Sequence, residues 1–321
     1  MRTFALQLTI LGTILVPLLH AAPAQALNNK SWVSSTGSGS TCTRALPCGN
    51  LQTAHDQTNA GGEIGVIDAA DYGALVISKA ISIIAEGVDA TVISAGAGSA
   101  AIAFSSSTPP TDVVTLQGLV IDGLGTGGIG ISYAYGPALV VKNCVIRNFK
   151  NSNGAGIFAQ PNVAGKLTVT DTLLVNNGTG LTGAGIVLKP QSGGSVQALF
   201  ERVTAVSNSF GILADGNGSI SVRGVVRNSA IANNVHNGIT ASSSGGGSAI
   251  LSVENTTVSG NDFGLVASGA SSGVLVGQSS IVLNNTGLFT ANGGVLLSYK
   301  NNSLNANTTS DGTFTGPVGQ Q

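Results

Sequence analysis

Charge is what this chain has least of. Of its 321 residues only 8 % are Asp, Glu, Lys or Arg, 13 basic against 14 acidic, where globular chains carry about 25 %. No basic patch stands out, which excludes nucleic acid as a partner. Aromatic residues are scarce as well, at 4 %. Past residue 26 no stretch is long and apolar enough to cross a bilayer, so no transmembrane segment is expected there. There are three cysteines. Cys42 and Cys48 bracket "CTRALPC" with no further soft ligand near them, which argues against a metal site. In an oxidising compartment this pair is expected to close a small disulfide loop. Cys144 stands alone between apolar residues and reads as a small buried core residue.

The N-terminus is richer. In "MRTFALQLTILGTILVPLLHAAPAQALNNK" one positive charge, Arg2, precedes an apolar run from Phe4 to Leu19. Small residues follow, with Ala24-Gln25-Ala26 in the arrangement that signal peptidase prefers. Residues 1–26 are therefore expected to be a secretory signal peptide, and the mature chain to be secreted or periplasmic. The alternative, an uncleaved anchor, is disfavoured by an apolar run short of the roughly 20 residues a span needs.

Glycine is abundant, at 46 residues, yet 42 % of the chain is hydrophobic. Gly, Ser, Thr and Asn alternate with Val, Ile and Leu at period two, which is the pattern of short strands, not of a linker. The pattern also repeats. A polar or glycine residue follows a short apolar strand at Gly118, Asn143, Asp171, Arg202, Asn228, Asn255, Gln278 and Asn301, every 23 to 31 residues. Six residues after the marker stands a second Asn, at positions 177, 208, 234, 261, 284 and 307. Gly plus an aliphatic residue comes next, as in Gly211-Ile212, Gly238-Ile239 and Gly264-Leu265. Each unit holds three strand-length segments and no helix-length one. A repeat of this length with that content predicts an all-β fold, a single-stranded parallel β-helix of about 8–9 three-strand coils. Coils stacked about 4.8 Å apart would set Val, Ile and Leu on their counterparts. The turn asparagines would stack as well, in the left-handed backbone that Asn tolerates.

The segments "VKNCVIRN", "VRNSAIANNVHNGI" and "VENTTVSGNDFGL" resemble the right-handed parallel β-helix proteins of the pectate-lyase-like superfamily, over roughly residues 61–307. That superfamily includes lyases, hydrolases, esterases, epimerases and adhesins, so the resemblance implies a fold more than a reaction. Residues 27–60 then read as a cap segment. It contains the Cys42–Cys48 loop and a short helix capped by Asn50 and ended by Gly61-Gly62. Residues 308–321 form a C-terminal tail, either loose or strapped over the last coil.

Members of this superfamily bind sugars on an outer face, so the resemblance directs attention to outward columns. After each Gly-Ile pair the outward residue is Phe158, Val187, Leu213, Thr240, Val266 and Phe289. That column is apolar with one hydroxyl. It is covered by loops or the tail, or it is an interface to a second copy or another surface molecule, or it is a platform for sugar rings. A second column reads Lys142, Thr170, Glu201, Arg227, Glu254, Gly277 and Lys300. Glu201 and Glu254 lie two coils apart, near the upper end of the carboxyl spacing of an inverting glycosidase, about 6.5–9.5 Å. The intervening Arg227 favours both carboxylates charged, so a surface ladder is the preferred reading. Asp215, on the "GILADGNG" turn near Lys189, is a third candidate, as a sugar contact. Asp68 and Asp71 are the acidic pair weighed as part of a calcium site and read instead as turn formers. No metal or other cofactor is expected. No nucleophile–His–acid set assembles around His55 or His236.

The expected function is that of an exported glycan-associated protein, with an extracellular polysaccharide or cell-surface component as partner. The alternative is a non-catalytic structural or adhesive scaffold, self-assembling as a homo-oligomer through the apolar column. A polysaccharide lyase or glycoside hydrolase comes third, because none of the familiar active-site patterns of polygalacturonases, pectin methylesterases or calcium-dependent pectate lyases is recognisable.

Overall fold

The computed structural model describes residues 27–96, 98, 100–106, 109 and 111–319. The expected signal peptide lies outside the described residues. Among the described residues no helix is long and apolar enough to cross a membrane.

The chain winds into a right-handed parallel β-helix with three sheets of 12, 10 and 9 strands. One coil shows the plan. Ser221–Arg227 lies in the first sheet, Ala230–Ala232 in the second and Asn237–Ser244 in the third, and Ser248–Glu254 returns to the first. Each strand pairs in parallel with its counterpart one coil on, as in Val226↔Val253 and Ile231↔Val258. The helix makes about ten turns, more than the 8–9 expected. The early coils contain short strands such as Leu75–Ile77 and Ala90–Ile93, but lack the Asn-and-Gly punctuation by which the later ones are counted.

Alternation places one residue in two inside. Ile212, Ile239 and Leu265 stack in the third sheet and Ile231, Val258 and Ile281 in the second, all fully buried. Each such side chain contributes about 1.5–3 kcal/mol relative to exposure, and the contact is renewed in every coil.

The corners explain the repeat. Asn143, Asp171, Arg202, Asn228, Asn255 and Gln278 all have φ between +46° and +53°. Each turns the chain from the first sheet into the second through left-handed backbone, which Asn tolerates best. In the last coil the left-handed residue is Lys300, not the expected Asn301, and Gly277 packs against Tyr299. The first-sheet strand of the last coil is therefore displaced by one residue from the sequence alignment, with Tyr299 in the place given to Lys300, while the second sheet returns to the aligned register at Ser280↔Ser303.

The second asparagine column lies inside. Asn177, Asn208, Asn234, Asn261 and Asn284 are at most 3 % exposed. Each donates its Nδ2 to the Oδ1 of the next, at 2.9–3.1 Å, ending on Asn307. The same Oδ1 accepts the backbone N–H of the preceding ladder residue, as at Asn208 and Asn234, both 3.0 Å. The glycine that follows makes room for this ladder. A Cβ on Gly211 would stand 2.5 Å from the Gly238 carbonyl oxygen and 3.0 Å from Asn234 Nδ2.

A third ladder runs one residue after the corner. Ser229, Thr256 and Ser279 hydroxyls accept the backbone N–H of Val203, Ser229 and Thr256 at 3.1–3.4 Å. Cys144 occupies this column. It is buried and unpaired as a cysteine, its thiol points at the Lys142 carbonyl at 3.3 Å, and burial pushes that thiol up to about 11.

Both ends are closed. Asn28–Val33 adds a strand beside Thr58–Val66, and the helix Leu51–Gln57 covers the first coil with Leu51, Ala54 and His55 buried. Asn50 Oδ1 accepts the Thr53 N–H at 2.7 Å, the expected cap. The helix stops at Gln57, before Gly61-Gly62. Thr58 is already extended and donates its hydroxyl back to the Ala54 carbonyl at 2.6 Å. Cys42 and Cys48 are joined in the preceding segment. At the other end the tail is a strap. Gly316–Pro317 pairs with the last first-sheet strand, Phe314 packs on the core, and Asp311 Oδ1 accepts from Asn307 Nδ2 at 2.8 Å, terminating the asparagine ladder.

Candidate functional site: a cleft on the third sheet

The apolar column predicted from the sequence exists as a register. Phe158↔Val187↔Leu213↔Thr240↔Val266↔Phe289 are partners one coil apart on the outer face of the third sheet. Its exposure is uneven. Val187, Thr240 and Val266 are 3–6 % exposed, whereas Phe289 is 44 % exposed and stacks on Phe263 with ring centroids 5.2 Å apart. A parallel column holding Ala155, Ala184 and Phe210 packs against Val187, with Phe158 and Leu213 at its border.

Two long turns raise a wall over this face. After Asn208, Asn261 and Asn284 the strand-opening glycine comes three residues later, whereas Gly185 follows Asn177 by eight. The extra residues carry Leu181 and Thr182 outward. The preceding coil is lengthened at the same point, around Asn153. Thr182 donates its hydroxyl to Asn153 Oδ1, tying the two turns together. In a stacked repeat, insertions of this kind collect on the binding face.

Between wall and sheet lies a cleft of about 530 Å³, inside the range of about 300–1,000 Å³ usual for ligand sites. Phe158, Val187 and Leu213 form its floor, and Ile129 and Leu181 its apolar sides. Lys189, Asp215 and Ser242 line its far edge. Lys189 Nζ and Asp215 Oδ2 are 2.8 Å apart; the lysine side chain is 52 % exposed and the aspartate 12 %. Asp215 Oδ1 accepts the Asn217 N–H at 3.0 Å, which fixes the carboxylate. Both groups keep capacity for a ligand, since an ammonium has three donors and each carboxylate oxygen two lone pairs.

The remaining candidates lie elsewhere. Glu201, Arg227 and Glu254 are in register at the ends of first-sheet strands, away from the cleft. Glu201 is gripped by Arg227 at 2.7 Å and by Arg202 at 2.6 Å, and Arg202 also holds Asp171 at 2.6 Å. The Arg227 hydrogen bond holds the Glu201 carboxyl below its ordinary range, the opposite of what a general acid needs. Glu254 accepts the Ser252 hydroxyl at 2.9 Å. Asp68, near the cap, accepts from the hydroxyl of Tyr72, from the Ser35 N–H at 2.7 Å and from the hydroxyls of Ser34 and Ser35, each at 2.9 Å. These donors, Tyr72 foremost, keep it well below the usual carboxylate range. Asp71 accepts from the Gly73 N–H at 3.0 Å. Asp68 thus ties the cap segment to the first coil as well as forming its turn, and Asp71 also accepts the Ile93 N–H of the next coil at 3.2 Å. His55 is buried in the cap helix, and His236 packs on Phe210 in a turn. Among the described residues no cluster of three His, Cys, Asp or Glu converges.

A second hollow, about 330 Å³ and more open, lies on the first sheet around Gly224, with Gln197, Arg223 and Ile250 at its margin. It is a dip where one side chain is missing and has no built wall. The third-sheet cleft is the better-formed site.

These features define a capped parallel β-helix with a walled cleft on an outer sheet. No family model and no curated protein matches the chain. Among solved structures it is similar to a GH136 lacto-N-biosidase from Eubacterium ramulus, with a TM-score of 0.57 at 11 % identity over 91 % of this chain and 67 % of that one. At that identity the likeness is one of fold.

Proposed function

We propose that this protein is an exported glycan-binding β-helix that holds a sugar in the third-sheet cleft. The observation that carries the reading is the walled cleft itself, with an apolar floor and one fixed charge pair at its edge. Sugar rings offer apolar C–H faces and directional hydroxyls, and an apolar floor with a few converging polar groups meets both. The neighbour with the same fold is named as a lacto-N-biosidase, which supports a glycan rather than a peptide or nucleotide. Kinship with the pectate-lyase-like β-helices belongs to the same proposal, as does export through residues 1–26.

Binding without turnover is the favoured form. Most glycosidases place two carboxyl groups on either side of the scissile bond. Among the described residues that line the cleft, Asp215 alone carries one. The scaffold reading keeps one observation of its own, the exposed Phe289 packed on half-buried Phe263 near the C-terminal end of the column.

The test is a glycan-array screen of the purified protein, with reducing ends and ultraviolet-absorbing products measured on every hit. Saturable binding abolished by Leu213→Asp and retained by Glu201→Gln supports the cleft. Binding indifferent to Leu213→Asp moves the site elsewhere. An array with no hit, together with concentration-dependent self-association lost in Phe289→Ser, transfers the reading to the scaffold.

A further inference from the structure

We infer that the first strand of the third sheet, Leu75–Ile77, is a docking edge for a second copy of this chain, and that the cap helix Leu51–Gln57 is the plug that acid withdraws from it. That strand ends the nine-strand sheet and pairs on one side, through Leu75↔Ile102 and Ile77↔Phe104. On the other side two helix side chains, one turn apart, supply what a preceding strand would. Gln52 Oε1 accepts the Val76 N–H at 2.8 Å and Gln52 Nε2 reaches the Val76 carbonyl at 3.4 Å. His55 Nε2 accepts the Ser78 N–H at 3.2 Å.

One part of this latch titrates. Accepting at Nε2 places the imidazole proton on Nδ1, which donates to Asp56 Oδ1 at 3.0 Å. A second proton makes both nitrogens donors, so Nε2–H then meets the Ser78 N–H and that bond is lost. The surrounding charges do not compensate. Asp56, on the helix itself, is 60 % exposed. Lys79, next to Ser78, brings a like charge and donates to the Thr58 carbonyl at 2.6 Å, where the helix ends. The strands Asn28–Val33 and Thr58–Val66, also packed on the helix, bring Lys30 and Glu63, which pair with each other at 2.6 Å, half in solvent.

Burial, with Lys79 added, outweighs Asp56 and keeps His55 neutral below its ordinary pKa of 6.5. The withdrawn helix therefore binds the proton first, and its population grows as pH falls below about 6.5. Between pH 7.5 and 5 one such group raises it by up to about thirtyfold. The rest of the cap stays in place, because the Cys42 and Cys48 carbonyls accept the Trp32 and Ser34 N–H at 2.8 and 3.0 Å on the edge of the first sheet.

Without its plug, Leu75–Ile77 presents free N–H and C=O groups beside Val76, whose side chain is 49 % exposed. A free edge of this kind takes another strand. Two copies of one strand can meet antiparallel about a two-fold axis, each edge satisfying the other, so the product is a closed dimer and not a fibre.

Sedimentation velocity of the purified protein at pH 7.5 and pH 5 tests this, beside hydrogen exchange corrected for intrinsic rates. A monomer at pH 7.5 and a concentration-dependent dimer at pH 5 are expected. Exchange should quicken by up to about thirtyfold in residues 51–58 and stay unchanged in the coils after residue 203. His55→Gln, which can accept from Ser78 and does not titrate, should remain monomeric at both pH values. Phe289→Ser, far along the same sheet, should dimerise like the parent. A parent that is monomeric at pH 5, or an acid response that survives His55→Gln or is lost in Phe289→Ser, overturns the inference. If His55→Gln does not fold, the parent's exchange carries the test: quickening confined to the cap helix upholds the inference, and quickening spread along the whole chain overturns it.

Discussion

Replacing Asn234 by alanine tests the ladder that makes the repeat legible. Asn234 is 2 % exposed. Its Nδ2 donates to the Ala205 carbonyl at 3.2 Å and to Asn261 Oδ1 at 2.9 Å. Its Oδ1 accepts the Asn208 backbone N–H at 3.0 Å and Asn208 Nδ2 at 3.1 Å. Alanine takes the acceptor away from the Asn208 N–H in a site closed to water, a cost of about 1–3 kcal/mol, and forfeits the other bonds at about 0.5–1.5 kcal/mol each. Asn208 Nδ2 retains its bond to the Leu174 carbonyl at 3.0 Å, so the total expected is about 2–6 kcal/mol. Asn228→Gly is the control. Asn228 is an exposed corner with φ of +53°, where glycine costs no steric strain, so its loss is expected to stay within about 1 kcal/mol. Asn234→Asp sharpens the test. Its carboxylate would face two acceptors, the Ala205 carbonyl and Asn261 Oδ1, so burial should raise its folded pKa above the ordinary value of about 3.9. The penalty is then small at pH below that value and grows as pH rises through the folded pKa. Urea titration followed by far-ultraviolet circular dichroism measures all three. An Asn234→Ala variant no less stable than Asn228→Gly refutes the account of the ladder as a load shared by buried amides.

Three further outcomes are expected. Burial in the cap holds the His55 pKa below its ordinary 6.5, with the Ser78 N–H donating to Nε2 at 3.2 Å. The unfolded chain thus binds the proton first, and stability falls as pH drops below about 6.5 toward the folded pKa; His55→Gln should remove that limb of a melting-temperature profile, and an unchanged limb would show that another group carries it. Asp311→Ala leaves Asn307 Nδ2 without its 2.8 Å acceptor. Hydrogen exchange should quicken in the last two coils and not in the first, whereas uniform quickening would contradict the cap. Gly211→Ala drives a Cβ to 2.5 Å from both the Gly238 oxygen and Ile231 Cγ2, an overpacking cost of about 1–3 kcal/mol. A variant as stable as the parent would mean that the coils can part locally at little cost.

The repetitive part of this structure was legible because repetition multiplies a weak signal. One Asn after one apolar run means little, while six at one offset specify a ladder, and the Gly-Ile pair fixed which strand faces in. The corner column was equally clear, except where the last coil slips by one residue at Lys300, since a single unit has no later copy to correct it. Cys144 reads as buried core and is buried; its place in the Ser/Thr column is also visible, since Thr172, Ser229, Thr256 and Ser279 stand one residue after their markers, interrupted at Val203. The cleft was half legible. Phe158, Val187, Leu213 and the Lys189–Asp215 approach follow from stacking, but its wall comes from residues outside the repeat, Asn153, Leu181 and Thr182. Their signal was the long gap between Asn177 and Gly185, a length and not a motif. The uneven cover of the outward column had no local signal, since it depends on neighbouring columns and turns.

That division bears on where function sits. Each coil obeys the same steric and hydrogen-bonding demands, so a residue that satisfies the repeat needs no further reason to be present. The informative residues depart from it. The two lengthened turns depart at adjacent coils and on the same side. Lys189 and Asp215 depart as well, placing an ion pair at the edge of an apolar face in a chain that is only 8 % charged. These departures border one cleft. The Glu201–Arg227 ladder carries charge too, but it lies on open first-sheet strand ends, where exposed pairs contribute about 0–1 kcal/mol and enclose no space for a ligand. A chance placement of insertions would scatter them around the cylinder, and a purely structural role for Lys189–Asp215 would not require a wall opposite it. Grafting the two-residue turn Ser209-Phe210 of the Asn208 coil in place of residues 178–184 separates the two readings. It should leave the melting temperature near that of the parent while abolishing glycan binding; retained binding would show that the wall is ornament to the fold.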